Sequence, residues 1–239
     1  MRRDGYEYRV RRALRWVADA LFPRGANRHD VLPALLILLT IVTGLVDAVS
    51  FLGLNRVFVA NMTGNVVFLG FALAGEPQLS VWAPPLAVAG FTAGAWSAGR
   101  LARRMRNARR EFVALTAAHA LLVAAALVVA QVAGHRDAMA QAPLIGLLAY
   151  GMGVQNATVR RLGVPDMITT NVLTTILTGL AADPPMWAAW RRAVSVVAMF
   201  AGALAGAVLY LKAGPVPPLA VALALLAAVT VAARPPKAR

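Results

Sequence analysis

Six long apolar runs constrain this chain more than any other feature of its sequence. Each is about 20 residues long, which is the length that an α-helix needs to cross the hydrocarbon core of a bilayer. The runs cover residues 31–53, 81–99, 112–133, 138–159, 193–211 and 216–233. Hydrophobic residues make up 59% of the 239 residues and charged residues only 14%, against about 45–50% and about 25% in soluble domains. We therefore predict an all-α integral membrane protein with several spans.

Two shorter apolar pieces, 57–75 and 165–181, leave the number of spans open. Each has a polar first half and an apolar second half of roughly ten residues, and ten helical residues cover only about 15 Å, half of the hydrocarbon core. If both pieces enter and return on the same side, the protein has six transmembrane helices plus two re-entrant half-helices. If both cross, it has eight crossing segments.

The distribution of basic residues favours the six-span alternative. With eight spans and a cytoplasmic N-terminus, 14 of the 24 Lys and Arg residues lie inside and 10 outside. With six spans, 21 lie inside and only Arg56, Arg136 and Lys212 lie outside. Because cytoplasmic loops carry an excess of Lys and Arg, we predict six spans with both termini in the cytoplasm of a bacterial inner or cell membrane. The net charge of +14 is then a signal of topology, and we expect no nucleic-acid partner.

The first 30 residues form a basic arm that contains eight Arg residues. Val10, Leu14, Val17 and Leu21 recur at helical spacing among them, which predicts an amphipathic helix on the membrane surface. A disordered basic arm is the alternative. The predicted division of the chain is this arm (1–30), a first membrane repeat (31–134), a second membrane repeat (138–233) and a short cytoplasmic tail (234–239).

The two membrane repeats are predicted from three short matches that recur in the same order. These pairs are Gly44–Ala48 with Gly153–Ala157, Met62–Val66 with Ile168–Val172, and Phe91–Ala95 with Phe200–Ala203. In the six-span topology the first span of the first half runs outward and the first span of the second half runs inward. The halves therefore form an inverted repeat, as in many transporters. Half-helices over about 66–75 and 172–181 would then start near the midplane, where their free N–H groups face each other.

The polar residues at the starts of these half-helices are candidate solute ligands. They are Asn61, Thr63 and Asn65 in the first half and Thr169, Thr170 and Asn171 in the second. Irregular backbone at membrane depth is tolerated where it lines a cavity or is buried in protein. The alternative is that these side chains only cap buried helix starts, since Asn and Thr oxygens accept backbone N–H bonds.

Asp47 is the most informative single residue, because it is the only acid well inside a long apolar run. A carboxylate within a span is costly and suggests a function by default, here as a proton or cation relay or as a ligand for the solute. The alternative is a structural role in which Asp47 is protonated, or bonds to Gln155, Asn156 or Arg56. Gln155 and Asn156 occupy the corresponding place in the second half and complete the set of candidate site residues.

Other chemistry is not favoured by the sequence. The chain has no Cys, and His119, the one His inside a span, has no second ligand at helical spacing, so we expect no metal and no cofactor. An intramembrane enzyme would need a nucleophile with a base or paired acids at depth, and we therefore expect no enzymatic activity. We expect Gly90, Gly94, Gly99, Gly202 and Gly206 to allow close helix packing.

Two blocks of sequence resemble a known family. The two blocks are GLVDAVSFLGLNRVFVANMTGNVVFLGFALAG over 44–75 and GVQNATVRRLGVPDMITTNVLTTILTGL over 153–180. They resemble the YoaK-like bacterial multi-pass membrane proteins, a family of unknown function. The resemblance covers roughly residues 31–232. It implies a polytopic membrane protein and supplies neither substrate nor reaction.

These observations favour a transporter or channel for a small polar solute with a site near the midplane. Its expected partners are the lipid bilayer and an unknown small polar solute, and whether it forms a homo-oligomer stays open. The alternative is a membrane scaffold or accessory subunit that transports nothing, in which the polar residues are structural. A dry and fully hydrogen-bonded polar cluster would favour this alternative.

Overall fold

The computed structural model describes residues 2–105, 107–135, 137–164 and 186–234. These residues form eight α-helices and no strands, which confirms the predicted all-α class for this part of the chain. The helices are α1 (Arg2–Asp19), α2 (Leu32–Gly53), α3 (Met62–Leu73), α4 (Ala83–Arg104), α5 (Ala108–Val132), α6 (Ala138–Leu162), α7 (Met186–Ala213) and α8 (Val216–Ala232). The predicted second half-helix over 172–181 lies outside the described residues.

Three of the helices, α2, α5 and α7, are both long and apolar enough to cross a membrane. The remaining long runs predicted from the sequence correspond to α4, α6 and the shorter apolar helix α8. The length and composition of these helices agree with a membrane location.

Local sequence signals account for the helix ends. Proline occupies the first turn of α2, α4 and α8, where its missing N–H removes no helical hydrogen bond. The side chain of Asn107 caps α5 by accepting from the N–H groups of Arg109 and Arg110. Gly163 ends α6 at a φ of 62°, a left-handed conformation that glycine adopts without steric cost.

Two parallel helix pairs carry the closest packing in the bundle. In the pair α2 and α7, Gly44 lies against the backbone of Met199 and Ala203, and Gly202 lies against the backbone of Ile41. A Cβ on Gly44 would lie 2.5 Å from the Ala203 nitrogen, so only glycine allows this approach. Residue numbers rise together along both helices, so the two helices run in the same direction.

The pair α4 and α6 repeats this arrangement. Gly153 lies against the backbone of Phe91 and Ala95, and Gly94 lies against the backbone of Tyr150. The expectation of close packing is thus confirmed at Gly94 and Gly202, and also at Gly90 and Gly206. It is wrong for Gly99, where an added Cβ would meet only the flexible Arg103 side chain at 3.9 Å.

Helices α2 and α6 run in opposite directions. Near the middle of α2, Thr43 accepts a hydrogen bond from Gln155, while just beyond its end Asn55 donates to Gln141 in the first turn of α6. Because α4 is parallel to α6, α4 is also antiparallel to α2. The chain therefore leaves α2 and enters α4 at the same end of the bundle, with α3 between them.

The other end of the bundle, which we call the arginine-rich end, gathers most of the basic side chains. Arg109 at the start of α5 forms an ion pair with Asp30 and donates to the carbonyl of Ala233 after α8, and Arg161 at the end of α6 pairs with Glu111. The loop before α2, the starts of α5 and α7 and the ends of α4, α6 and α8 meet here.

Helix α1 attaches to the same end. Arg11 and Arg15 both bond the carboxylate of Asp30. After the helix, the carbonyl of Ala20 accepts from the Trp190 ring N–H at 3.2 Å. The arm is therefore held by its C-terminal half, while the side chain of Trp16 is 74% exposed.

Candidate solute site

Asp47 lies in the last third of α2 and is 5% exposed. Its Oδ1 atom accepts hydrogen bonds from the backbone N–H groups of Val59 at 3.0 Å and Ala60 at 2.9 Å. Its other oxygen, Oδ2, has no hydrogen-bond partner among the described residues. The proposed side-chain partners Gln155, Asn156 and Arg56 were therefore wrong, because the carboxylate binds backbone from its own half of the chain.

The backbone that Asp47 holds is the non-helical segment that turns back into the protein after α2. The turn uses Asn55 and Arg56 at φ values of 57° and 54°, a region that few residues other than glycine adopt. Beyond the turn, Val57, Val59 and Ala60 are 0–2% exposed. The apolar side chains of this segment are thus packed inside the protein, while those of Arg56 and Asn61 are exposed. We call residues 54–61 the pinned segment.

Asn65 fixes the same segment from the other side. Its Oδ1 accepts from the N–H of Phe58 at 2.9 Å, and its Nδ2 donates to the Phe58 carbonyl at 2.6 Å. Asn65 is 0% exposed, so all of this bonding takes place away from solvent. Phe51 and Phe68 contact the Phe58 ring with centroid separations of 5.1 and 5.8 Å, which adds aromatic packing around the segment.

Asn61 ends the pinned segment and starts α3. Its side-chain oxygen accepts from the N–H of Gly64 at 3.3 Å, as expected for an N-cap. The predicted start of this half-helix near residue 66 was wrong by about one turn, because the cap at Asn61 lets the helix begin at Met62. Asn61 and Thr63 both have exposed side chains.

The described candidate residues of the second half, Gln155 and Asn156, make other contacts. Gln155 is 4% exposed and donates from Nε2 to Thr43 Oγ1 at 2.9 Å, one helical turn before Asp47 on α2. Asn156 is 6% exposed and donates to the Met152 carbonyl of its own helix at 3.0 Å. Thr169, Thr170 and Asn171 lie outside the described residues. The structure thus joins Asp47, Asn61 and Asn65 around one segment and places Gln155 in a different cluster.

His119 belongs to this second cluster, which its place in the sequence does not predict. It is 1% exposed and lies near the middle of α5, beside Gln155. The signal in the sequence is that His119 is the one His inside an apolar run. Its neighbour on the other helix is visible only in the fold, where a Cβ at Gly151 would lie 2.5 Å from the His119 ring.

The arginine-rich end has its own electrostatic feature at Asp30. Partial burial by itself raises the pKa of Asp30, but hydrogen bonds from Arg15 and Arg11 outweigh this and hold the pKa below its usual value. Asp30 also adopts a φ of 52°, in the left-handed region where Asp is one of the more common residues besides glycine. Among the described residues no group of three His, Cys, Asp or Glu could hold a metal ion.

Comparison with known proteins places most of the chain in one family. A sequence model of the family described as "protein of unknown function (DUF1275)" matches residues 35–232. The chain is 35% identical over 149 residues to the "UPF0700 transmembrane protein YoaK" of Bacillus subtilis strain 168. That alignment covers 62% of this chain and 65% of the relative. No solved structure matches.

Proposed function

We propose that this chain, which belongs to the DUF1275 family of proteins of unknown function, is a membrane transporter or channel. Its proposed substrate is a small polar solute. The relative is a transmembrane protein, and the apolar helices of this chain agree with a membrane location. We assign it no enzymatic activity and no cofactor. The bilayer and one small polar solute are its proposed partners.

The topology we propose has six spans, α2 and α4–α8, with α3 as a re-entrant half-helix. It is supported by the antiparallel arrangement of α2 and α4, which returns the chain after the pinned segment and α3 to the end that it left. The second proposed re-entrant half-helix, over 172–181, lies outside the described residues.

The proposed inverted repeat is supported by the two glycine crossings. Gly44 in α2 corresponds in sequence to Gly153 in α6, and Gly202 in α7 corresponds to Gly94 in α4. Each pair of parallel helices therefore uses matched glycines from opposite halves, while the first helices of the two halves, α2 and α6, are antiparallel.

The orientation we propose places the arginine-rich end in the cytoplasm of a bacterial inner or cell membrane, with both termini on that side. The positive-inside rule supports it. Arg56 and Lys212 lie at the opposite end, where α2 and α7 finish.

The observation that carries the transport proposal is the pinned segment. Non-helical backbone at membrane depth occurs where it is buried in protein or lines a water-filled cavity, and in transporters such broken backbone builds the substrate site. Here a buried carboxylate holds that backbone through two N–H groups. Asp47 still has one oxygen without a hydrogen bond among the described residues, which leaves it able to bind a proton or a solute.

A scaffold without transport activity is the second candidate, and one observation favours it. Asp47 and Asn65 are 5% and 0% exposed and bond to the backbone of their own half. A cluster of this kind can stabilise the fold without meeting any solute.

Vesicle permeability distinguishes the two functions. Purified protein is first screened for solutes that raise its thermal stability, since a ligand that prefers the folded state does so. The positive solutes are then tested in proteoliposomes against empty vesicles at several pH values. We expect faster permeation of at least one solute, and loss of its pH dependence in Asp47→Asn, which inserts normally but cannot exchange a proton.

The matched control is Glu76→Gln, which removes an exposed acid at the end of α3 and is expected to leave the pH profile unchanged. Permeability equal to that of empty vesicles for every stabilising solute would favour the scaffold. An unchanged pH response in Asp47→Asn would remove Asp47 from the mechanism.

A further inference from the structure

A second group of buried polar side chains lies between α2, α5 and α6, away from the pinned segment. His119 and Gln155 are 1% and 4% exposed. They line a narrow crevice whose other walls are Leu39, Phe112, Thr116 and Thr158. None of these six lining residues carries a formal charge other than the titratable His119.

Three polar atoms in this crevice are unpartnered. Both ring nitrogens of His119 and Oε1 of Gln155 are buried and make no hydrogen bond within the described residues. Gln155 is the hydrogen-bonding side chain nearest to His119, but in the closed crevice no ring nitrogen meets Oε1 at the distance and angle of a hydrogen bond. The Nε2 atom of Gln155 is already used, because it donates to Thr43 Oγ1 at 2.9 Å. Buried polar groups are almost always hydrogen-bonded, so three unpaired atoms in one crevice point to a missing partner.

The surrounding helices make room for the imidazole ring. Gly151 of α6 faces it, and a Cβ at that position would lie 2.5 Å from Cδ2 and 3.0 Å from Nε2 of His119. His119 is near the middle of α5, which spans Ala108–Val132. The crevice is therefore near the middle of the proposed span, at the depth where transporters commonly bind their substrates.

We propose that the crevice between His119 and Gln155 is a binding site for a small uncharged solute that carries neighbouring hydrogen-bond donors and acceptors. A neutral imidazole offers one acceptor nitrogen and one N–H donor, and the Gln155 carbonyl offers a second acceptor. A molecule with an N–H or O–H group beside a carbonyl or hydroxyl oxygen can satisfy all three. A charged solute would be buried without an opposite charge in the lining, which is unfavourable.

The crevice is closed in the structure. Its cavity volume for a water-sized molecule is about 0 Å³, so a solute can bind only when the side chains or helices that line the crevice move apart. The unpaired atoms favour that opening, because they gain hydrogen bonds from an incoming solute that the closed form does not supply.

This inference rests on the proposed function for its biological meaning, since it names the solute class and locates its site away from Asp47. The binding itself can be measured without transport. Failure of the transport proposal and failure of the binding proposal can then be told apart. The first would leave a solute site at His119 in a protein that does not transport, and the second would leave a transporter whose His119 crevice binds nothing.

The test is a ¹⁵N NMR titration of the full-length protein in nanodiscs with labelled histidine. The chain has three His residues, so His119 can be assigned by substitution, and His29 and His135 report on folding. The probes are acetamide and glycerol, with acetate and methylammonium as charged counterparts. We expect a saturable shift of the His119 signals with an uncharged probe and none with the charged ones.

Two variants keep His119 and test the site. Gln155→Leu removes one acceptor and is expected to weaken binding about tenfold, the loss typical of one hydrogen bond. Gly151→Ala fills the space beside the ring and is expected to abolish the shift. The inference is overturned if neither uncharged probe shifts His119, or if the charged probes shift it equally. If a variant does not fold, the titration of the unsubstituted protein still decides.

Discussion

At the scale of single residues, Asp47 acts first as a ligand of backbone. Its Oδ1 atom satisfies two N–H groups of a segment that cannot form helix hydrogen bonds. Those N–H groups belong to Val59 and Ala60, which are 0% and 2% exposed, so they depend on the carboxylate for their hydrogen bonds. A structural role and a role in transport are compatible, because only one of the two oxygens is used.

We expect Asp47→Ala to lower the free energy of unfolding by about 2–4 kcal/mol, because two buried N–H groups lose their acceptor. Asp47→Asn is the matched control, since its amide oxygen can still accept, and we expect it to lose less than half as much. Thermal unfolding of both variants in detergent measures the difference. Equal stability of Asp47→Ala and the unsubstituted protein would mean that the carboxylate does not hold the pinned segment.

The sequence was sufficient to single out Asp47, Asn61 and Asn65, but their partners depend on tertiary structure. A lone acid in an apolar run can be recognised in the amino-acid sequence, whereas its hydrogen bonds to Val59 and Ala60 depend on the turn at Asn55 and Arg56. In the sequence His119 is a single His in an apolar run, with no second metal ligand at helical spacing. Its closeness to Gln155 and Gly151 arises from the crossing of α5 and α6, which no local pattern encodes.

At the scale of helices, the bundle depends on glycines that allow backbones to touch. Gly153 lies against the Phe91 and Ala95 backbone of α4, whereas Gly146 on the same helix has nothing within 4 Å of an added Cβ. The spacing of small residues in the sequence predicted close packing in general. This spacing could not distinguish Gly94, which lies against the backbone of α6, from Gly99, which does not. The difference depends on which face of α4 packs against α6.

We expect Gly153→Ala to destabilise the protein by about 1–3 kcal/mol, since the added methyl group meets backbone that cannot move aside. Gly146→Ala is the control on the same helix. It is expected to be neutral or to stabilise by about 0.5–1 kcal/mol, the preference of a helix interior for Ala over Gly. Thermal unfolding of the two variants is compared, and a Gly153→Ala variant as stable as Gly146→Ala would contradict the crossing.

Helix α1 is held to the bundle by a titratable contact. The pKa of Asp30 is lowered in the folded protein, so its stabilising contribution is complete above its unfolded pKa of about 3.9. That contribution is lost as the pH falls through the lower folded value. The arm is therefore expected to loosen in acid below about pH 4 and to be unaffected by pH near neutrality.

A spin label at position 16 can report this loosening, because Trp16 is exposed and the chain has no native Cys. In the Trp16→Cys background we expect label mobility to rise only as the pH falls below about 4. Adding Asp30→Asn should raise mobility already at pH 7, whereas adding Glu76→Gln should not. Mobility that does not respond to Asp30→Asn would show that other contacts hold the arm.

At the scale of the whole molecule, the number of spans depends on how the chain turns between α2 and α4. The basic residues predicted six spans, and the directions of the described helices agree with that count. Asp30 before α2 pairs with Arg109 at the start of α5, which places these two points at the same end. The eight-span alternative would put them on opposite sides of the membrane.

Cysteine accessibility in intact cells tests this arrangement most directly, because the native chain needs no Cys removed. Single substitutions Arg24→Cys, Gln78→Cys and Ala108→Cys place a thiol at exposed positions before α2, between α3 and α4, and at the start of α5. With a membrane-impermeant maleimide, we expect Gln78→Cys alone to be labelled from outside, and the other two only after permeabilisation. Labelling from outside at Ala108→Cys, with Arg24→Cys and Gln78→Cys both protected, would establish eight crossing segments and contradict the account.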